Sequence, residues 1–129
     1  MPAVTVEVRY GYTPEQEQKI IDSIHGAMMN ALKTQDWDKT IRLICHDPKR
    51  FSGPPDKTEK YTLVSFDMFE GRSIDAKRAL YAAVVTNLEQ CGIPKDDVMV
   101  VLREHPVENW GIRGGQAACD IDVGFKINV

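Results

Sequence analysis

Pro2 is the one position in this chain that can offer a secondary amine. If the initiator Met1 is removed, the proline nitrogen is freed, and a free α-amino group titrates at about 7.7–8.0. Modest burial or a nearby cation brings such a nitrogen to neutrality, where a general base works best. The same residue also suits the start of an edge strand, where its missing N–H costs nothing. Far along the chain, Glu108-Asn109-Trp110-Gly111-Ile112-Arg113-Gly114-Gly115 gathers a tryptophan, an isoleucine and an arginine within four residues of a turn-rich stretch. Arg113, flanked by Gly114 and Gly115, is a candidate anion binder.

The elements that must position these residues follow from periodicity. From Ala3 to Tyr10 the side chains alternate, with Val4, Val6, Val8 and Tyr10 on one face, as in a half-buried strand. Thr13 is suited to cap a helix, Pro14 to open it, and Glu15 and Glu17 to face its positive end. Ile20, Ile21, Ile24, Ala27, Met28, Ala31 and Leu32 then form a stripe on a helix from about Pro14 to Lys33. Ile41, Leu43 and Cys45 mark a second strand, halted at His46-Asp47-Pro48, and residues 49–60 read as an exposed connection.

The pattern then repeats. Thr62 to Phe69 is a strand, Ser73 an N-cap, and Ala76, Leu80, Val84, Leu88 and Cys91 a second helical stripe stopped by Gly92. Val98-Met99-Val100-Val101-Leu102 is a continuous apolar run, expected of an inner strand covered on both faces. Gly11 and Gly71 stand 60 positions apart, and His46 and His105 stand 59 apart. The fold class expected is a two-layer α/β arrangement of duplicated β-α-β units, about 1–60 and 61–119, in a single domain. Right-handed crossovers put both helices on one face of a four-stranded sheet. The other face needs cover, and the alternating tail from Asp120 to Val129 predicts a C-terminal strand that pairs with a neighbour in a closed homo-oligomer.

At 129 residues, the chain has the length of one domain with a substantial core. A formal net charge of -3 and scattered basic residues predict no nucleic-acid partner. No apolar run approaches a membrane span of about 18 residues, and the N-terminus passes directly into a strand pattern. Neither membrane association nor a signal peptide is expected, and the default compartment is cytoplasmic. Cys45, Cys91 and Cys119 are an odd number at wide spacings, which argues against a disulfide framework, and are expected as buried thiols. His25, His46 and His105 have no ligand spacing, so no metal is expected. His25, beside the apolar stripe, is expected as a satisfied core or interface histidine, and duplication accounts for the other two.

Met1-Pro2 at the start, Gly71-Arg72-Ser73 ahead of Lys77, the duplicated units and the Trp110 turn together resemble the tautomerase superfamily, most closely its malonate semialdehyde decarboxylase-like group. The resemblance covers nearly the whole chain. It implies that Pro2 is the catalytic amino-terminal proline, a base in tautomerases and a protonated acid in the decarboxylases. It implies that Arg72 holds a substrate carboxylate or carbonyl oxygen and stabilises a developing enolate. Asp38 then matches the aspartate that positions Pro2 or a water, while Trp110 and Ile112 match the apolar wall of the pocket. No cofactor is implied, and the assembly implied is a homotrimer. One departure bears on the reaction. The decarboxylases carry two arginines separated by one residue before the second helix, and here the first of those positions is Glu70.

Three functions follow as expectations. The leading one is proton transfer in small 2-oxo acids or their enols. Another is decarboxylation or hydration of a small 3-oxo acid of the malonate semialdehyde type. The third is a ferredoxin-like module that binds a small ligand at a subunit interface without catalysis, since a fold does not fix a function.

Overall fold

The computed structural model describes residues 2–122. Strand β1 (Ala3–Arg9) leads to helix α1 (Pro14–Leu32) and strand β2 (Thr40–His46), and strand β3 (Thr62–Phe69) leads to helix α2 (Ile74–Glu89) and strand β4 (Val98–His105). The sheet order is β2-β1-β3-β4. Each strand is parallel to its own repeat's partner, and β1 and β3 meet antiparallel at the centre. Two β-α-β units therefore sit side by side, as their spacing predicts.

Local chemistry explains the helix starts. Thr13 and Gln16 form a reciprocal capping box, with Gln16 N donating to Thr13 Oγ1 at 3.2 Å and Thr13 N donating to Gln16 Oε1 at 2.8 Å. Ser73 repeats the cap by accepting from Ala76 N at 3.1 Å. Gly11 and Gly71, each two residues before its cap, have φ of 131° and 117°, a region closed to most side chains. Lys33 closes α1 in the left-handed conformation.

Val4, Val6 and Val8 of β1 and Val64, Phe66 and Met68 of β3 are buried against Ile20, Ile24, Met28, Leu80, Val84 and Leu88 of the helices. This is the alternation of a sheet with helices on one side. On the opposite face polar side chains pair across strands. Arg42 Nη2 donates to Thr5 Oγ1 at 2.6 Å, and His46 Nε2 meets Glu7 Oε1 at 3.0 Å. Asp67 is held by Arg103 and His105.

Several expectations need correction. β4 is an edge strand, not an inner one, and Met99 on it is 51% exposed. Its apolar run records a wish for cover that the described residues do not supply. The turn-rich stretch contains a small hairpin, β5 (Gly111–Ile112) with β6 (Gln116–Ala117). A 3-10 turn, Ala118–Asp120, follows where the tail strand was expected to begin, and the rest of that strand, 123–129, lies outside the described residues. Cys45 and Cys91 are only half-buried, and Cys119 is exposed because its turn points Ala118 inward instead. His25 Nε2 is buried with no hydrogen-bond partner among the described residues. No helix among these residues is long and apolar enough to cross a membrane.

Candidate active site

The β1/β3 register brings the two repeats' ends together. Ala3 faces Thr40 of β2 on one side and Asp67 of β3 on the other. Pro2 precedes Ala3, Asp38 lies two residues before Thr40, and Arg72 lies three residues after Phe69. All three therefore stand at one end of the sheet. All three are also buried, with Asp38 and Arg72 each only 5% exposed.

A guanidinium so nearly enclosed is costly unless its charge is answered. Burial draws Arg72 below the ordinary arginine range, while the carboxylates of Asp38 and Glu104 act in the opposite sense. Its Nη1 donates to the Phe69 carbonyl at 3.4 Å, and its Nε has no acceptor among the described residues. A buried donor without an acceptor, on a charged guanidinium, suits a carboxylate or oxyanion.

An apolar cluster lies around Phe69 on the helix-free face. Phe69 and Ala118 are fully buried, with Val107, Trp110, Ile112 and Ile121 packed against them. The Trp110 ring meets Phe69 edge-on at 5.2 Å and His105 at 5.9 Å. Its indole N–H is buried without a partner among the described residues. Trp110 and Ile112 thus share one cluster. Arg113 does not join it. At the hairpin tip, with φ of 49°, it is exposed and donates from Nη1 to the Asp122 carbonyl at 3.1 Å. A cavity of about 160 Å³ lined by Gln16, Lys19, Gln90 and Cys91 contains none of the predicted site residues.

Two residues went unread as site components. Phe69 reads in the sequence only as a strand residue, although it is contiguous with Glu70-Gly71-Arg72. Glu104 reaches Lys77, its Oε1 accepting from Lys77 Nζ at 2.6 Å, a link that only the strand register reveals.

The far end of the sheet holds the matching positions of the other repeat. There Thr62, Tyr12 and Asp97 correspond to Pro2, Arg72 and Asp38. Asp97 is buried and accepts from the Thr58 backbone N at 3.0 Å and from the Thr58 hydroxyl. Burial pushes the Tyr12 phenol up to about 12.

Comparison with known proteins agrees with this architecture. Residues 38–113 match a family model described as "Tautomerase enzyme". The chain is 24% identical over 123 residues to the probable tautomerase YusQ of Bacillus subtilis (strain 168), covering 91% of this chain and 97% of that protein. A malonate semialdehyde decarboxylase structure superposes with a TM-score of 0.84 at 26% identity, over 93% of this chain and 99% of the other. A fused 4-OT described as a symmetric trimer superposes with a TM-score of 0.78 at 22% identity, over 91% and 96%. With more than half its length matched by that model, and with the fold in agreement, the chain belongs to the tautomerase family.

Proposed function

We propose that this protein moves a proton in small 2-oxo acids or their enols, with Pro2 as the base and then the acid and Arg72 as the carboxylate or oxyanion holder. The observation that carries this reading is the convergence of Pro2, Asp38 and Arg72, whose buried Nε has no acceptor among the described residues, at one sheet end. In the enol-to-keto direction the Pro2 nitrogen takes the enol hydroxyl proton. The oxyanion charge develops against Arg72, and the Pro2 ammonium returns the proton to the substrate carbon. Asp38 aligns that ammonium, and Phe69, Trp110 and Ile112 keep water out. The working assembly is a homotrimer, in keeping with the trimeric fused 4-OT of similar fold.

The mechanism requires a free proline nitrogen, so the first experiment is the intact mass of the untagged chain from cells. A mass lacking one methionine, with turnover of phenylpyruvate enol falling at least about 100-fold in Pro2→Ala, supports the reading. A retained Met1 would falsify it and shift the weight to non-catalytic binding of a small ligand.

A second reading has its own support in the burial of Asp38 within electrostatic reach of Arg72 and in the likeness to malonate semialdehyde decarboxylase. There protonated Pro2 and Arg72 polarise the carbonyl of a small 3-oxo acid, and Asp38 aligns a water. Release of carbon dioxide from malonate semialdehyde faster than enol turnover would make it the preferred one. Glu70 weighs against it, since it sets a carboxylate where the decarboxylases carry a second cation.

A further inference from the structure

Arg72 has two carboxylates within electrostatic reach, Asp38 and Glu104, yet its Nε has no acceptor among the described residues. Glu104 lies on β4 opposite Met68 of β3, and its side chain is taken by Lys77 at 2.6 Å. Lys77 sits in the first turn of α2, anchored by its backbone N donating to the Ser73 carbonyl at 3.1 Å. The Lys77 and Glu104 side chains are only 21% and 30% exposed, so water screens the pair incompletely. A carboxylate released there would turn to the one buried guanidinium within reach.

We propose that Lys77 is a positioning residue for Arg72: by holding Glu104 on its ammonium, it leaves the buried Nε of Arg72 unpaired for a substrate carboxylate. This rests on the reading of Arg72 as the carboxylate holder. Lys77 touches neither substrate nor reacting atoms. It acts by occupying a competitor, so removing the competitor as well must undo the loss of Lys77.

The test is calorimetric titration of phenylpyruvate, a 2-oxo acid, into the full chain and its variants, with thermal melts to verify folding. Lys77→Met is expected to weaken binding about 10-fold, Lys77→Arg to bind like the unaltered protein, and Lys77→Met with Glu104→Gln to recover to within about threefold. The double variant restores the net charge of the original pair, and a loss of binding by Lys77→Met at an unchanged melting temperature separates positioning from a merely structural role, which would lower both together. Should Lys77→Met fail to fold, Lys77→Gln serves the same comparison. Binding by Lys77→Met equal to the unaltered protein overturns the proposal, as does a double variant no better than the single. Arg72→Ala separates the two levels. If it binds as tightly as the unaltered protein, or if the unaltered protein does not bind, Arg72 is not the holder and both ideas fall. If Arg72→Ala loses binding while Lys77→Met keeps it, only the role of Lys77 falls.

Discussion

Asp67 and His105 face each other across β3 and β4, with Nε2 to Oδ1 at 2.9 Å, and Glu7 and His46 make the equivalent contact across β1 and β2 at 3.0 Å. The first pair is the more heavily tied. Arg103 also donates to both Asp67 oxygens, at 2.9 and 3.2 Å. These bonds hold the Asp67 carboxyl down at about 2, with the Arg103 hydrogen bond the largest cause.

That depression fixes the sign of a pH effect. The group binds its proton more weakly when folded, so its contribution to stability is complete above its ordinary value of 3.8 and is lost as pH falls toward about 2. Asp67→Asn should lower stability by about 1 kcal/mol at pH 7 and by progressively less below pH 4. Urea melts at pH 7, 4 and 3 would show it, and a difference from the unaltered protein that stays constant across all three would contradict the account.

Arg72→Lys keeps the charge but removes the planar fork. If Arg72 holds a carboxylate or oxyanion through Nε, kcat/KM for phenylpyruvate enol should fall about 100-fold while the melting temperature changes little. Retention of more than half the activity would mean that charge alone suffices there.

The cysteines should differ in reactivity. Burial, then a hydrogen bond to Glu17 and its charge, push the Cys45 thiol up to about 11, and Cys45 Sγ donates to Glu17 Oε2 at 3.1 Å. At pH 8 only about one Cys45 in a thousand would be thiolate. Exposed Cys119 should therefore be alkylated first by iodoacetamide, as peptide mass spectrometry can follow. Equal rates at both positions would contradict the Cys45–Glu17 contact.

Gly53 and Gly111 make a paired test of packing. A Cβ on Gly53 would lie 2.8 and 3.0 Å from two atoms of the Tyr61 ring. That ring is 9% exposed and packs on Phe51, whose carbonyl accepts from Arg9. Gly53→Ala should cost about 1–3 kcal/mol, whereas Gly111→Ala, with nothing within 4 Å, should stay within about 0.5 kcal/mol. Similar denaturation midpoints for the two variants would argue against the tight Tyr61 contact.

Much of the fold was legible because alternation and capping are local. Val4, Val6 and Val8 announced a one-sided strand, and Thr13 and Ser73 announced both helix starts. Strand neighbours are not local, and so β4 was misjudged. Val98 to Leu102 reads as an inner strand because Met99 is as apolar as its neighbours, yet half of Met99 lies open. At the candidate site, Pro2, Asp38 and Arg72 stand together because each borders a strand end, where a resemblance can be followed residue by residue. Arg113 stands apart from them, its glycines accompanying a left-handed turn and an exposed side chain. The Lys77–Glu104 link escaped because it spans two elements and depends on which residue of β3 lies beside Glu104.

The far end of the sheet, where Thr62 and Tyr12 stand in for Pro2 and Arg72, shows what joining two repeats in one polypeptide entails. A chain has one α-amino nitrogen, and the nitrogen of Thr62 is locked in a peptide bond. Chemistry that requires a free backbone amine can therefore occupy only one of the two mouths. At the second end that demand is absent, and Asp97, the counterpart of Asp38, is taken up in packing, where it accepts from the Thr58 backbone and hydroxyl.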